Sequence, residues 1–105
     1  MTIQFNTDKN LSVHEAFGSK LEDLLKAQLK RFSEYISRLE VHLSDENGSK
    51  AGINDKRCLL EARIEGKQPI AVTGFGNTYE LALDGAIDKL KASLDTIIGK
   101  MRSHQ

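Results

Sequence analysis

Apolar and polar residues along this chain alternate, then recur at helical spacing, then alternate again. Ile3 and Phe5 are interleaved with Thr2, Gln4 and Asn6, the period of a short strand with one buried face. Thr7-Asp8-Lys9-Asn10 reads as a turn. Ser12 stands three residues before Glu15, the spacing of a capping box, and predicts a helix start there. Phe17, Leu21, Leu24, Leu25, Leu29, Phe32 and Ile36 then form one helical stripe. Lys20, Lys26, Lys30 and Arg31 lie largely off it.

From Leu39 the period falls to two. Leu39, Val41 and Leu43 alternate with Arg38, Glu40, His42 and Ser44, predicting a half-buried strand. The polar run from Asp45 to Asp55, with Gly48 and Gly52, predicts a flexible connection. A third strand places Cys58, Leu60, Ala62 and Ile64 on one face and Arg57, Leu59, Glu61, Arg63 and Glu65 on the other. Gly66-Lys67-Gln68-Pro69 turns the chain into a fourth strand opened by Ile70 and Val72, with Pro69 tolerated at its first position. Gly74 and Gly76 are expected to end that strand and serve turn geometry. Asn77 with Glu80 offers the cap of a second helix. Leu83, Ile87, Leu90, Leu94, Ile97 and Met101 form its inner face. Gly85 implies a close approach of that helix, and Gly99 a cap or frayed end.

The predicted fold is therefore α+β with order β-α-β-β-β-α: a four-stranded mixed sheet with both helices packed on one face. The β-α-β unit makes its two strands parallel through a right-handed crossover, and the remaining strands follow as an antiparallel meander. The expected organisation is one domain over residues 1–105, with an ordered core over about 2–98 and a frayed C-terminal end.

Composition narrows the function classes. Of 105 residues, 39% are hydrophobic and 29% charged, which suits a globular domain and not a disordered tail. Lys and Arg total 15 against 15 Asp and Glu, so the net charge is zero and global steering of a polyanion is absent. The N-terminus shows no signal peptide, and no apolar run approaches the roughly 18 residues of a membrane span. The single cysteine, Cys58, excludes an internal disulfide, so a cytoplasmic address is expected.

Catalysis has no visible constellation. His14, His42 and His104 are scattered and read as surface residues, and no His/Cys/Asp/Glu grouping has metal-ligand spacing, so neither a metal nor a cofactor is expected. Cys58 keeps phase with Leu60, Ala62 and Ile64, as a small core residue does. Gly74 and Gly76 before a helix match neither the dinucleotide fingerprint nor the P-loop. Arg57, Glu61, Arg63 and Glu65 beside Glu40 and His42 read as cross-strand ion pairing. The second helix carries Glu80, Asp84, Asp88 and Asp95 against Lys89 and Lys91, then only Lys100 and Arg102. With Lys30 and Arg31 of the first helix these bases form either a modest surface for RNA phosphates or a solvated face matched to the helix dipole. The residues alone leave both open.

Three stretches carry a family resemblance: Arg38-Leu-Glu-Val-His-Leu-Ser-Asp-Glu-Asn47, the run from Asp55 to Thr73, and Ala82-Leu-Asp-Gly-Ala-Ile-Asp-Lys-Leu90. Arg31-Phe32 and Tyr35 add a basic–apolar pair and an aromatic. Over nearly its whole length the chain resembles the bacterial ribosome-hibernation factors, a family of ribosome-associated inhibitors and subunit-interface proteins, in its short single-domain form. The resemblance implies binding to the small ribosomal subunit through rRNA, steric blockage of mRNA and tRNA sites in stress or stationary phase, and no enzymatic activity, small-molecule substrate or membrane partner. Carried over by position, Arg31 and Lys89, then Lys91 and Lys100, become candidate RNA contacts, with Lys30 and Arg102 completing the basic set. Relatives often carry Arg, Gln or Lys where this chain has Ala92, Ser93, Thr96 and Ile98, and Asp95 adds an acid to that stretch. The alternative is a protein-interaction module with the same fold but without strong ribosome binding.

Overall fold

The alternating N-terminal segment forms strand β1 (Thr2–Thr7) in the computed structural model, which describes residues 1–7, 15–45 and 55–103. Helix α1 (Glu15–Gln28), a 3-10 turn (Lys30–Phe32), β2 (Ile36–Asp45), β3 (Lys56–Ile64), β4 (Ile70–Gly76) and α2 (Tyr79–Ser103) follow. The sheet order is β1-β2-β3-β4, with β1 parallel to β2 and the other neighbours antiparallel. Both helices cover one face, as the pattern predicts. The expected turn at residues 8–10, the Ser12 cap, His14, the connection at 46–54 and His104 lie outside the described residues.

Register explains the core. Leu43 faces Cys58, Val41 faces Leu60 and Leu39 faces Ala62, so inward residues of β2 and β3 meet as cross-strand pairs. All six are at most 1% exposed. Ile3 and Phe5 pair with Leu39 and Val41 from the β1 side. Leu21, Leu25 and Leu29 of the first helical region and Leu83, Ile87, Leu90 and Leu94 of α2 close the same cluster.

The first helix ends earlier than its stripe suggests. Regular α-helix stops at Gln28, and Leu29 and Phe32 stay buried through the 3-10 turn, where residues three apart eclipse. Ile36 belongs to β2, not to the helix. The register shifts between Ile36 and Arg38, so a bulge lets both Ile36 and Leu39 point inward although they are three residues apart.

Five further expectations change. The α2 cap is Thr78, whose Oγ1 accepts the Leu81 N–H at 3.1 Å, one residue after the expected Asn77. Ile98 is buried where the stripe chose Ile97, which is half-buried. The helix also continues through Gly99 to Ser103, because one glycine costs only about 1 kcal/mol against a hydrogen bond gained per added residue. Gly74 and Gly76 lie within β4 and serve packing: a Cβ on Gly74 would collide with the Ala82 carbonyl oxygen and the Ala86 amide of α2. Gly85, expected to permit the approach, would itself meet only the Gly74 Cα at an ordinary 3.8 Å. Among the described glycines, a positive φ, 77°, is confined to Gly66 in the β3–β4 turn, where Lys67 N–H donates to the Ile64 carbonyl at 3.0 Å.

Candidate nucleic-acid interface

The basic candidates are positioned by two buried anchors. Phe32, 2% exposed, fixes the 3-10 turn, so its neighbour Arg31 must project outward; the guanidinium lies 4.1 Å over the Phe32 ring. Leu94, 0% exposed, fixes the middle of α2 and turns Asp95 to solvent. The two outward residues meet. Arg31 Nη1 donates to Asp95 Oδ1 at 2.8 Å and Nη2 to Oδ2 at 3.1 Å, a bidentate pair across 64 residues of sequence. The hydrogen bonds from Arg31 hold the Asp95 carboxyl below the usual carboxylate range, and the charge of Lys91 adds to this.

The other bases divide between two flanks of α2. Lys91 Nζ donates to Gln28 Oε1 at 3.2 Å, toward α1. Lys89, two residues and about 200° around the helix, donates instead to the Thr73 carbonyl of β4 at 2.7 Å. Lys100 lies eleven residues beyond Lys89, about three turns along the same flank, and is exposed. Lys30 is exposed on the rim of an open depression lined by Met1, Lys26, Ala27 and Ser33. Arg102 belongs to α2, and its side chain lies outside the described residues. Arg31 and Lys91 therefore come together where the end of α1 meets α2, while Lys30 lines a separate depression and Lys89 sits apart against the sheet.

Sequence reasoning missed the direct partner of Arg31. Asp95 stands out in the sequence as an acid in the distal helix, but nothing in local spacing connects it to residue 31. A concavity beside the pair is lined by Arg31, Phe32, Tyr35, Asp95, Ile98 and Gly99.

The open sheet face corrects a second expectation. Glu40, His42 and Glu61 bring one ligand atom each within 4.8 Å of one another, a grouping of metal-ligand types that linear spacing did not reveal. Glu40 and Glu61 are direct partners across β2 and β3, and His42 shares their face two residues on. His42 Nε2 lies 3.3 Å from Glu61 Oε1 without hydrogen-bond geometry, and Arg38 approaches Glu40 at 3.4 Å while also bonding Gln4. Arg38 thus offsets one of the two facing carboxylates while His42 lies beside the other, a cross-strand polar cluster of the kind the sequence predicts. Elsewhere, Lys56 reaches Asp45 at 2.8 Å and the nearly buried Asp55 at 3.3 Å. The hydrogen bond that Lys56 donates to Asp45 leads the causes that raise the lysine's pKa.

Cys58 is wholly buried, and desolvation pushes its thiol up to about 12, so it stays protonated and unreactive at neutral pH.

The family model described as Sigma 54 modulation protein / S30EA ribosomal protein matches residues 5–102. Among solved structures, the chain is similar to the N-terminal domain of Protein Y from Thermus thermophilus, with TM-score 0.71 and 24% identity over 92% of this chain and 99% of that one. It is also similar to a ribosomal subunit interface protein from Coxiella burnetii, with TM-score 0.71 and 18% identity over 94% of this chain and 99% of that one. At these identities the two structures establish a shared fold. Comparison with curated proteins returns no match. No helix among the described residues is long and apolar enough to cross a membrane.

Proposed function

The chain belongs to the Sigma 54 modulation protein / S30EA ribosomal protein family, whose members are ribosome-associated factors and not known as enzymes, and on that premise we propose that it is a translation modulator docking on rRNA of the small subunit. Bound there, the domain occupies space needed by mRNA and tRNA and silences ribosomes in stress or stationary phase. The mechanism is steric and needs no bond to be made or broken.

The observation that carries this reading is the placing of Arg31 and Lys91 at the junction of the 3-10 turn and the end of α1 with α2. Arginine presents a fork matched to phosphate oxygens, and lysine adds point charge. Contacts of this type position a protein on RNA and carry little sequence information. Lys89 and Lys100, on the opposite flank of α2, would form a separate contact.

Co-sedimentation with ribosomes across a salt series tests the reading. Association should weaken steeply as salt rises, because each phosphate contact releases counterions. Arg31→Ala with Lys91→Ala should lower the bound fraction. Absence of a ribosomal fraction even at low salt would sink the proposal. It would select the second reading, an interaction module of the same fold, which draws support from Phe75 and Leu81, each 53% exposed.

A further inference from the structure

Arg31 meets Asp95 in the geometry with which an arginine grips a phosphate. Two parallel N–H···O bonds of 2.8 and 3.1 Å join a planar fork to two oxygens on one centre. The guanidinium is held for this role by its seat on the Phe32 ring, itself locked in the core. Lys91, one helical turn before Asp95, is near enough for its charge to act on the same carboxylate. Two cations thus flank one anion beside a concave surface.

Fold stability asks little of this arrangement. The Arg31 and Asp95 side chains are 60% and 53% exposed, and solvent screening keeps the contribution of such a pair to stability modest. A separate feature marks the same place. Gly99 lines the concavity, sits inside α2 against helix propensity, and has nothing within 4 Å of where its Cβ would be. No packing contact requires that glycine. What its missing side chain provides is open space at the wall of the concavity.

We propose that this concavity between the 3-10 turn and distal α2 is a binding site for an RNA phosphodiester, in which Asp95 occupies the phosphate's place until RNA displaces it. The inference rests on the RNA-binding reading above and deepens it. Arg31 is the gripping residue, Lys91 the second cation and Asp95 an internal competitor. The competitor lowers the affinity of the site: RNA must break the Arg31–Asp95 pair and then accept a carboxylate beside its own phosphate.

The test is fluorescence anisotropy of a labelled, unstructured oligouridylate against the full chain at several salt concentrations. Asp95→Asn should bind about tenfold more tightly than the wild type, and the slope of log affinity against log salt should steepen by about 0.7, one phosphate's worth for a single strand. Adding Arg31→Ala to Asp95→Asn should abolish the gain. Asp84→Asn, which changes net charge equally from an exposed position in the first half of α2, should give no comparable gain.

Unchanged affinity in Asp95→Asn, a gain that survives Arg31→Ala, or an equal gain from Asp84→Asn would each overturn the proposal. Inorganic phosphate that saturates the Asp95→Asn variant as tightly as the oligonucleotide would overturn the RNA assignment. Failure of the broader reading looks different. A wild type that never co-sediments with ribosomes, beside an Asp95→Asn variant that grips RNA through Arg31, loses the ribosome and keeps the site. A wild type that co-sediments, with Asp95→Asn unchanged, loses the site alone.

Discussion

Gly74 of β4 lies against Ala82 of α2 so closely that a Cβ on Gly74 would overlap the Ala82 carbonyl oxygen, with the Gly85 carbonyl carbon 3.0 Å away. The contact is backbone on backbone, so no side-chain rotation can relieve an added methyl. Gly74→Ala should force α2 off the sheet and destabilise the fold by about 3 kcal/mol or more, at the upper end of overpacking costs. Urea unfolding of Gly99→Ala provides the contrast: its Cβ meets nothing within 4 Å, so removing a helical glycine should stabilise by up to about 1 kcal/mol. Equal midpoints for the two variants would contradict this packing.

The Cys58 thiol is raised by burial, which sets the sign of its effect at alkaline pH. The native state keeps its proton up to about 12, whereas an unfolded thiol loses it near 8.5. Stability from this group is therefore full below about pH 8.5 and falls as pH rises toward 12. Cys58→Ala should flatten that fall in denaturation curves collected between pH 8 and 11. In native protein a thiol reagent should label Cys58 only at the rate of unfolding.

Asp95 behaves in the opposite sense. Its carboxyl is lowered by the Arg31 hydrogen bonds, so the contribution of the pair is present above the ordinary carboxylate value of about 3.9 and is lost as pH falls below it. A carbon-detected NMR titration should find the Asp95 midpoint below that value. Arg31→Ala should return it to the ordinary range; a midpoint unmoved by this substitution would mean the pair does not form in solution.

Thr78 caps α2 through its bond to the Leu81 N–H. Thr78→Ala should cost about 1 kcal/mol, and Thr78→Ser should recover most of it, since the hydroxyl carries the effect. Thermal unfolding monitored by circular dichroism reads both.

Leu60 is wholly buried between Val41 and Val72 at the centre of the sheet. Leu60→Ala should cost about 2–5 kcal/mol through lost transfer energy and the cavity left behind. Its neighbour Leu59 faces the open side and is only half-buried, so Leu59→Ala should cost clearly less.

Much of the architecture was legible because burial imposes a period. Leu39-Val41-Leu43 and Cys58-Leu60-Ala62-Ile64 alternate in the sequence and form the inward rows of β2 and β3. Leu83, Ile87, Leu90 and Leu94 recur at helical spacing and line the buried side of α2. Periodicity failed where two geometries bury the same residues. Leu29, Phe32 and Ile36 satisfy a helical stripe, yet the chain has already left the α-helix, passed through a 3-10 turn and entered a strand. The bulge beside Ile36 is likewise invisible to a strict period of two.

The candidate site was legible only as a set of residue types. Arg31, Lys30 and Lys91 were identifiable as bases on the outer faces of helices, because charged side chains stay in water. Their partners were not, since each depends on how separate elements dock: Asp95 for Arg31, Gln28 for Lys91, the Thr73 carbonyl for Lys89. That Glu61 faces Glu40 and His42 was expected from strand alternation, but the convergence of their ligand atoms within 4.8 Å required the register of β2 on β3.

The amino-acid sequence by itself determined the element order, the inward faces, the buried cysteine and the resemblance that led to the family. All of these follow from local spacing or from residue identity. The tertiary structure alone decided which charges meet, because helix docking brings together groups that the chain holds far apart. The bases and acids that cancel in the sequence total meet as specific pairs, and it is the docking of the 3-10 turn beside α2 that joins Arg31 to Asp95 across 64 residues.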